Sequence, residues 1–276
     1  MSLELNEWEI HINEIKLKDQ IGEGQFGKVF LASWRGTNVV AKVINDNMPE
    51  DKKYLFIKEF DIMTKVHHPY VVQLLGYVKD PFIIVMEYLN NGNLLEYIRK
   101  NRIWKKTKIN LALDILRGLA YIHARRPDYL IHRDIKSHNI LISPGGFAKI
   151  GDFGLAKCLK YNITDSNDYE TNKENEKKDN DMTTFVGSVR YMSPEMKSYS
   201  KYSFKTDIWS CGVIFYELFE NGERYNPKGV IWSNTPNDVK VIIKDFMLKE
   251  DPNDRLTALE LITKFEDILV DSNCCF

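Results

Sequence analysis

The chain has 276 residues and a formal net charge of −1, so it can form one large domain or two lobes, and it lacks the bulk charge that holds nucleic acid or an anionic membrane. Hydrophobic residues make up 43% and charged residues 28%, which excludes wholesale disorder. The four cysteines lack zinc-ligand spacing, and we find neither a signal peptide nor a membrane-spanning segment. The sequence therefore predicts a soluble, cytoplasmic protein that neither binds nucleic acid nor inserts into a membrane, with its oligomeric state left open.

The first third of the chain has the pattern of a small β-rich lobe. Residues 15–43 are rich in β-branched side chains and broken by glycines, which is typical of successive antiparallel strands. Residues 52–66 place apolar side chains at helical spacing, and two further strands are predicted at 71–78 and 82–88. We expect a lobe of five strands and one helix over 15–89, preceded by an N-terminal extension, 1–14.

The rest of the chain is predicted to be mainly helical. From Leu94 onward the apolar period becomes 3.6 residues, with short strands expected at 129–131, 140–142 and 148–150. This second lobe is assigned to residues 90–270, followed by a tail over 271–276. Within it, residues 165–182 hold seven acidic residues and three lysines with little apolar surface, which indicates a solvated loop.

A glycine-rich segment offers the first chemical signal. Residues Gly22, Gly24 and Gly27 fit the pattern G-x-G-x-x-G, which also marks dinucleotide-binding folds and which a plain glycine turn can match. In a dinucleotide fold the last glycine opens a helix, whereas here it opens a predicted strand. The context therefore favours a hairpin that folds over phosphates.

Two further motifs identify the family that the chain resembles. They are His132-Arg-Asp134-Ile-Lys136-Ser-His-Asn139 and Asp152-Phe-Gly154. With the glycine loop, in this order and spacing, they resemble a eukaryotic protein kinase catalytic domain across roughly residues 14 to 265. Further matches to that family are Lys42, Glu59, Ser193-Pro-Glu195, Asp207-Ile-Trp-Ser-Cys-Gly212 and Arg255. The resemblance implies an α+β, bilobal fold, with a small five-stranded antiparallel lobe carrying one helix and a larger, mainly helical lobe.

The resemblance also implies catalytic roles. Lys42 would grip the α- and β-phosphates of ATP with Glu59 as its ion-pair partner, and Asp134 would accept the proton of the substrate hydroxyl. Lys136 would neutralise charge on the transferred group. Asp152 and Asn139 would hold Mg²⁺, with Mn²⁺ as an alternative, because hard oxygen ligands suit these ions. The expected catalytic residues are thus Lys42, Glu59, Asp134, Lys136 and Asn139.

A second set of positions is expected to contact the nucleotide. Met86 would guard the back of the pocket, the backbone of Glu87 and Leu89 would bond adenine, and Asn93 is a candidate ribose contact. Val40 stands where the family usually has alanine. The full set of expected contacts is Ile21, Gly22, Gly24, Gly27, Val29, Val40, Lys42, Met86, Glu87, Leu89, Asn93 and Leu141.

The resemblance also implies a substrate class, through the residue two positions after Asp134, where tyrosine kinases of this family usually have alanine or arginine in a different pattern. A lysine there, Lys136, favours transfer to serine and threonine of protein substrates. The segments Trp8-Glu-Ile10 and Trp34-Arg-Gly-Thr37 resemble the tyrosine-kinase-like group of serine/threonine kinases. A dual-specificity kinase stays open, as does a catalytically weak, nucleotide-binding signalling scaffold of the pseudokinase type.

Two segments carry expectations about control and docking. Thr184 aligns with the family's activation threonine, with Thr183 as a substitute, and Arg133 would receive the phosphate. Between Lys228 and Pro236 the chain is too short for the helix that kinases place there. We therefore expect no helix of three or more turns before the helical pattern of residues 238–248, and exposure of Val230, Ile231 and Trp232.

Overall fold

The computed structural model describes residues 6–24, 27–44, 50–126, 128–160, 189–198 and 202–273. The chain divides into two compact units, residues 1–90 and 91–276. The expectations for the acidic segment 165–182 and for Thr183 and Thr184 lie outside the described residues. Within the described ranges, none of the helices has both the length and the apolar character needed to cross a membrane.

The first unit contains a five-stranded antiparallel sheet and one helix, α1. The strands follow the order β1-β2-β3-β5-β4 across the sheet. Buried apolar side chains at alternating positions of β3, such as Val39 and Ala41, pack under the sheet with Ile83 and Val85 of β5, as period-2 alternation requires. The five strands and one helix predicted from the sequence are confirmed. Their bounds are β1 Ile15–Gly24, β2 Gly27–Trp34, β3 Thr37–Ile44, α1 Glu50–Met63, β4 Leu74–Val78 and β5 Ile83–Glu87.

The chain preceding β1 is attached to this unit. The backbone N–H of Ile10 donates to Tyr77 O at 2.7 Å, and the side chain of Ile10 joins the core. The Trp8 ring stacks on that of His67, with 5.7 Å between centroids. Gly76 permits this approach, because a Cβ there would lie 2.6 Å from Trp8 O. Residues 8–10 are thus packed on β4.

The second unit is mainly helical, as predicted. The three short strands expected at 129–131, 140–142 and 148–150 are present as β6 to β8, whereas β9 was not predicted and pairs antiparallel with β6. Helix α5 is buried along nearly its whole length. The elements are α2 Leu94–Lys100, α3 Lys105–His123, β6 Asp128–Ile131, β7 Ile140–Ile142, β8 Ala148–Ile150, β9 Lys157–Lys160, α4 Pro194–Lys197, α5 Lys205–Phe219, α6 Asn237–Ile242, a π-helical turn Ile243–Met247 and α7 Ala258–Asn273.

The interval between α5 and α6, residues 220–236, contains no helix, which confirms the expectation for this part of the chain. The carboxylate of Glu220 holds the loop instead, accepting backbone N–H bonds from Ser233, Asn234 and Thr235 at 2.9 to 3.2 Å. Ile231 is exposed as expected, at 69%. Trp232 is only half-buried, since its ring packs edge-on against Tyr216 at 5.1 Å.

Candidate active site

Strand pairing in the first unit aligns three of the expected site residues. Gly22 of β1 lies opposite Val29 of β2, which lies opposite Lys42 of β3. Gly24 and Gly27 face each other where the hairpin turns. A Cβ on Gly27 would lie 1.9 Å from the carbonyl oxygen of Val43, so the close approach of β3 requires glycine at this position.

Lys42 forms a buried ion pair with Glu59. The Nζ of Lys42 donates to both carboxylate oxygens, at 2.7 and 2.6 Å, and the two side chains are 10% and 1% exposed. Glu59 lies on α1, and the ring of Phe56, one turn earlier, is 5.7 Å from the same Nζ. A charged amine this deeply buried requires such a partner, so the pair fixes the position of a cation on β3.

The remaining expected contacts of the first unit lie on or beside β5. Val40 pairs with Met86 across the β3–β5 ladder, and both side chains are half-buried. The backbone N–H of Glu87 donates to Gln73 O at 3.1 Å, and Leu89 is buried just after the strand. Ile21 of β1 is 48% exposed.

In the second unit the expected base, Asp134, is held by two neighbours from its own loop. Lys136 Nζ donates to Asp134 Oδ2 at 2.6 Å. Asn139 Nδ2 donates to the same oxygen at 3.0 Å and to the backbone carbonyl of Asp134 at 2.8 Å. Asp134 and Asn139 are buried, and Lys136 is half-buried. The loop thus gathers a carboxylate, an ammonium group and an amide around one point.

The donors of the expected metal pair fit a hard divalent cation. Asn139 donates to Asp134 through Nδ2, which orients the side chain and leaves Oδ1 as its oxygen donor for a metal ion. Asp152 is an exposed carboxylate on a backbone with φ +61°. The backbone N–H of Gly151, the residue before Asp152, donates to Asn139 O at 2.8 Å. The loops that carry Asp152 and Asn139 are therefore neighbours. Carboxylate and amide oxygens are ligands that Mg²⁺ accepts.

Asn93 and Leu141 also come together. They form an isolated antiparallel bridge, and the neighbouring Ile142 N donates to Gly92 O at 2.9 Å. The side chain of Asn93 caps α2, accepting from Glu96 N at 3.0 Å and donating to the Glu96 carboxylate at 2.9 Å. The expected ribose contact is therefore also a helix cap.

Asp207 anchors the loop that carries the expected base, Asp134. Its two carboxylate oxygens accept the backbone N–H groups of His132 and Arg133, both at 2.9 Å, and His123 Nε2 lies 2.9 Å from Oδ2. Complete burial by itself would raise the pKa of Asp207, but the interactions with His123 and His132 outweigh it and hold that pKa below its ordinary value. Asp207 is thus ionised when it holds the loop.

Sequence reasoning missed a second buried carboxylate, Glu217 of α5. Its carboxylate accepts from the Ser137 hydroxyl and, at 2.9 and 3.0 Å, from the Tyr191 hydroxyl. Burial, followed by the charge of Glu217, raises the pKa of Tyr191 well above its usual range. Ser137 and Tyr191 lie 80 and 26 positions from Glu217 in the sequence, so no local sequence pattern predicts these contacts.

Comparison with known proteins shows that the chain is similar to protein kinases. The chain is 33% identical over 287 residues to a serine/threonine-protein kinase, VIK, of Arabidopsis thaliana, a match that covers 95% of this chain and 62% of the relative. It is 31% identical over 228 residues to a tyrosine-protein kinase, SRK3, of Spongilla lacustris, covering 80% of this chain and 62% of the relative. It is 35% identical over 224 residues to a tyrosine-protein kinase, TXK, of Mus musculus, covering 78% of this chain and 38% of the relative.

The chain therefore spans less than two thirds of the length of these curated relatives. The model of the protein kinase domain family matches residues 15–265, which is most of the chain. That match includes both the Lys42–Glu59 pair and the loop around Asp134. The chain belongs to the protein kinase domain family.

Proposed function

We propose that this protein is a serine/threonine kinase that transfers the γ-phosphate of Mg-ATP to hydroxyl groups of protein substrates. The observation that carries the proposal is the loop of Asp134, whose carboxylate is held at 2.6 Å by Lys136 and at 3.0 Å by Asn139. A carboxylate beside an ammonium group suits a reaction in which a hydroxyl loses its proton while negative charge develops on a phosphoryl group.

In the proposed reaction the substrate hydroxyl oxygen attacks the γ-phosphorus, the bond to the bridging oxygen breaks, and ADP leaves. Asp134 accepts the hydroxyl proton, and Lys136 stabilises the charge on the transferred group. Lys42, held by Glu59, binds the α- and β-phosphates. Asp152 and Asn139 would hold Mg²⁺, or Mn²⁺ as an alternative, which supplies charge neutralisation at the phosphates when bound.

For the nucleotide itself, we propose that the glycine hairpin and the β3 and β5 residues bind the base and the phosphates. Three observations support this proposal: the register of Gly22, Val29 and Lys42, the Val40–Met86 pair, and the Gly27 position that admits no side chain. The contacts proposed are the twelve residues named from the sequence, with Asn93 as the ribose contact and Leu141 beside it.

Serine/threonine specificity rests on Lys136 and is the finer part of the proposal. Relatives named as serine/threonine kinases and relatives named as tyrosine kinases match at similar identity, so dual specificity is the second candidate. Phosphoamino-acid analysis of autophosphorylated protein and of a mixed peptide library separates the two. Phosphoserine and phosphothreonine alone support the proposal, whereas phosphotyrosine at comparable yield supports dual specificity. Membership of the tyrosine-kinase-like group is part of this proposal.

Control by phosphorylation is proposed for Thr184, with Thr183 as a substitute, because Arg133 lies beside Asp134 and a phosphate carries the charge that an arginine binds. Mass spectrometry of active protein should find phosphate on one of the two threonines. Active protein that is unmodified at both would overturn this part.

A cytoplasmic location is proposed because the four cysteines of the sequence have neither zinc-ligand spacing nor the pattern of a disulfide-rich secreted protein. Subcellular fractionation tests it, and recovery of the native protein only from a secreted fraction would reject it.

The central experiment measures phosphate transfer from labelled ATP by the wild type and by Asp134→Asn. Loss of a positioned base should lower kcat by about 10² to 10⁴-fold. Asp61→Asn is the matched control, since Asp61 lies on α1 and its carboxylate pairs with Lys65 at the surface, and it should leave kcat unchanged. Full activity of Asp134→Asn would refute the role of Asp134, and an inactive wild type that still binds ATP would favour the pseudokinase reading.

A further inference from the structure

Arg133, the residue before the expected base, is held at both its backbone and its side chain. Its backbone has φ +64°, a left-handed conformation that is costly for a residue with a side chain. The backbone N–H donates to Asp207 Oδ1 at 2.9 Å. The side chain donates from Nε to Leu155 O at 2.6 Å and from Nη1 to the hydroxyl of Tyr202 at 2.9 Å.

Tyr202 and Asp207 belong to one short segment, at the beginning of α5. Asp207 holds the backbone of Arg133, and Tyr202 holds its guanidinium group, so this segment contributes to the position of both parts of Arg133. Tyr202 is half-buried, and a hydrogen bond to a charged group in such a setting is stronger than one between neutral groups.

We propose that Tyr202 is a positioning residue for phosphate transfer, acting through Arg133 on the placement of Asp134. Asp134 follows Arg133 directly, and its partners Lys136 and Asn139 belong to the same loop, so a movement of Arg133 carries the base with it. A shift of Arg133 out of its left-handed conformation therefore moves the carboxylate relative to the substrate hydroxyl, and small displacements of a base are costly in rate. The inference rests on the proposed function, since it deepens the role of the same site.

The contact with Arg133 uses the hydroxyl of Tyr202. Tyr202→Phe keeps the ring and removes only the acceptor, so the fold should be preserved. A matched control exists in the same unit: Arg125 Nη1 donates to the hydroxyl of Tyr121, a residue of α3, at 3.3 Å. Tyr121→Phe removes the same type of contact.

The experiment measures kcat and the KM for ATP of the full chain and its variants. Tyr202→Phe should lower kcat by about tenfold, the effect of losing one hydrogen bond to a charged group, with KM for ATP unchanged. Tyr121→Phe should change neither quantity. In an Arg133→Met background, Tyr202→Phe should change kcat by less than about twofold, because its route through Arg133 has been removed.

An unchanged kcat in Tyr202→Phe, or an equal loss with and without Arg133, would overturn the inference. A wild type that transfers no phosphate would refute the proposed function instead. In that case the coupling of Tyr202→Phe with Arg133→Met is measured on the equilibrium constant of unfolding: about tenfold coupling supports the contact, and additivity overturns it.

Discussion

Glu195 and Arg255 form the most completely bonded ion pair among the described residues, and breaking it should destabilise the second unit strongly. Arg255 Nη1 and Nη2 donate to the two carboxylate oxygens of Glu195 at 2.7 and 2.8 Å. Its remaining N–H groups donate to the backbone carbonyls of Lys249, Lys205 and Glu250 at 2.8 to 3.1 Å. All five donors of the guanidinium group are therefore used.

The burial of this pair determines the size of the effect. The side chain of Arg255 is 0% exposed and that of Glu195 is 6% exposed. Glu195→Gln leaves one acceptor oxygen but turns an amide donor toward a guanidinium donor, so a buried cation loses its counter-charge. Removing one partner of a buried pair costs about 3 to 5 kcal/mol, because the remaining charge stays desolvated. That is a large share of a stability of about 5 to 15 kcal/mol.

The assay is urea unfolding followed by circular dichroism, with a surface pair as the control. Arg117 and Glu266 form an ion pair with a comparable N–O distance, 2.8 Å, but their side chains are 38% and 48% exposed. Glu266→Gln removes the same charge and should cost less than about 1 kcal/mol. The expected result is thus a difference of at least about 2 kcal/mol between the two variants. Equal losses in both would refute the reasoning from burial.

Three further predictions follow from other contacts. Gly27→Ala should lower the free energy of unfolding by about 1 to 3 kcal/mol in thermal melts, because its Cβ would meet a β3 carbonyl at 1.9 Å, whereas Gly22→Ala, with its nearest neighbour at 3.6 Å, should cost much less. Asp207→Asn should flatten the acid limb of the curve of stability against pH. Because the pKa of Asp207 is lower in the folded state, its carboxylate stabilises the fold at pH values above its unfolded-state pKa, and this stabilisation is lost as the pH falls through its folded-state pKa. An acid limb that is the same in the variant and the wild type would contradict this prediction. Glu220→Gln should speed proteolysis within residues 230–236 by removing an acceptor of the loop's backbone N–H groups, and an unchanged cleavage rate would argue against that role.

The sequence predicted those parts of the fold that have a local pattern. The β-branched residues and glycines of β2 and β3 identified these strands, and helical spacing identified α1 and α3, because burial of one helix face imposes a period on the side chains. The missing helix between α5 and α6 was also predicted, since a short interval cannot contain three turns. Strand β9 was missed because Lys-Cys-Leu-Lys has little strand character of its own and is placed by its pairing with β6.

The candidate site was predictable to the extent that its residues lie in short motifs. The residues around Asp134 are neighbours in the chain, and their contacts at 2.6 to 3.0 Å follow from one loop. The contacts of Tyr202 with Arg133 and of Glu217 with Ser137 join residues 69 and 80 positions apart. Those contacts depend on how α5 and the residues just before it pack against the loop of Asp134. Such packing leaves no local pattern in a single sequence.

His132 links Arg133 and Asp152, two of the three non-glycine residues with a positive φ in the described part of the second unit. Arg133 and Asp152 both have left-handed backbones, at φ +64° and +61°, and such conformations persist only where surrounding contacts hold them. The backbone of His132 is bonded to Asp207, its ring Nε2 lies 3.1 Å from Gly151 O, and the same ring packs against Phe153 at 4.9 Å. Through its backbone His132 is held by Asp207 next to Arg133, and through its ring it contacts both neighbours of Asp152. We expect His132→Ala to displace the proposed base and the proposed metal ligand together, because it removes the ring that contacts Gly151 and Phe153 and that lies directly before Arg133. Phosphate transfer and Mg²⁺ affinity should therefore fall together in kinetic and binding assays, and loss of only one of them would contradict this link.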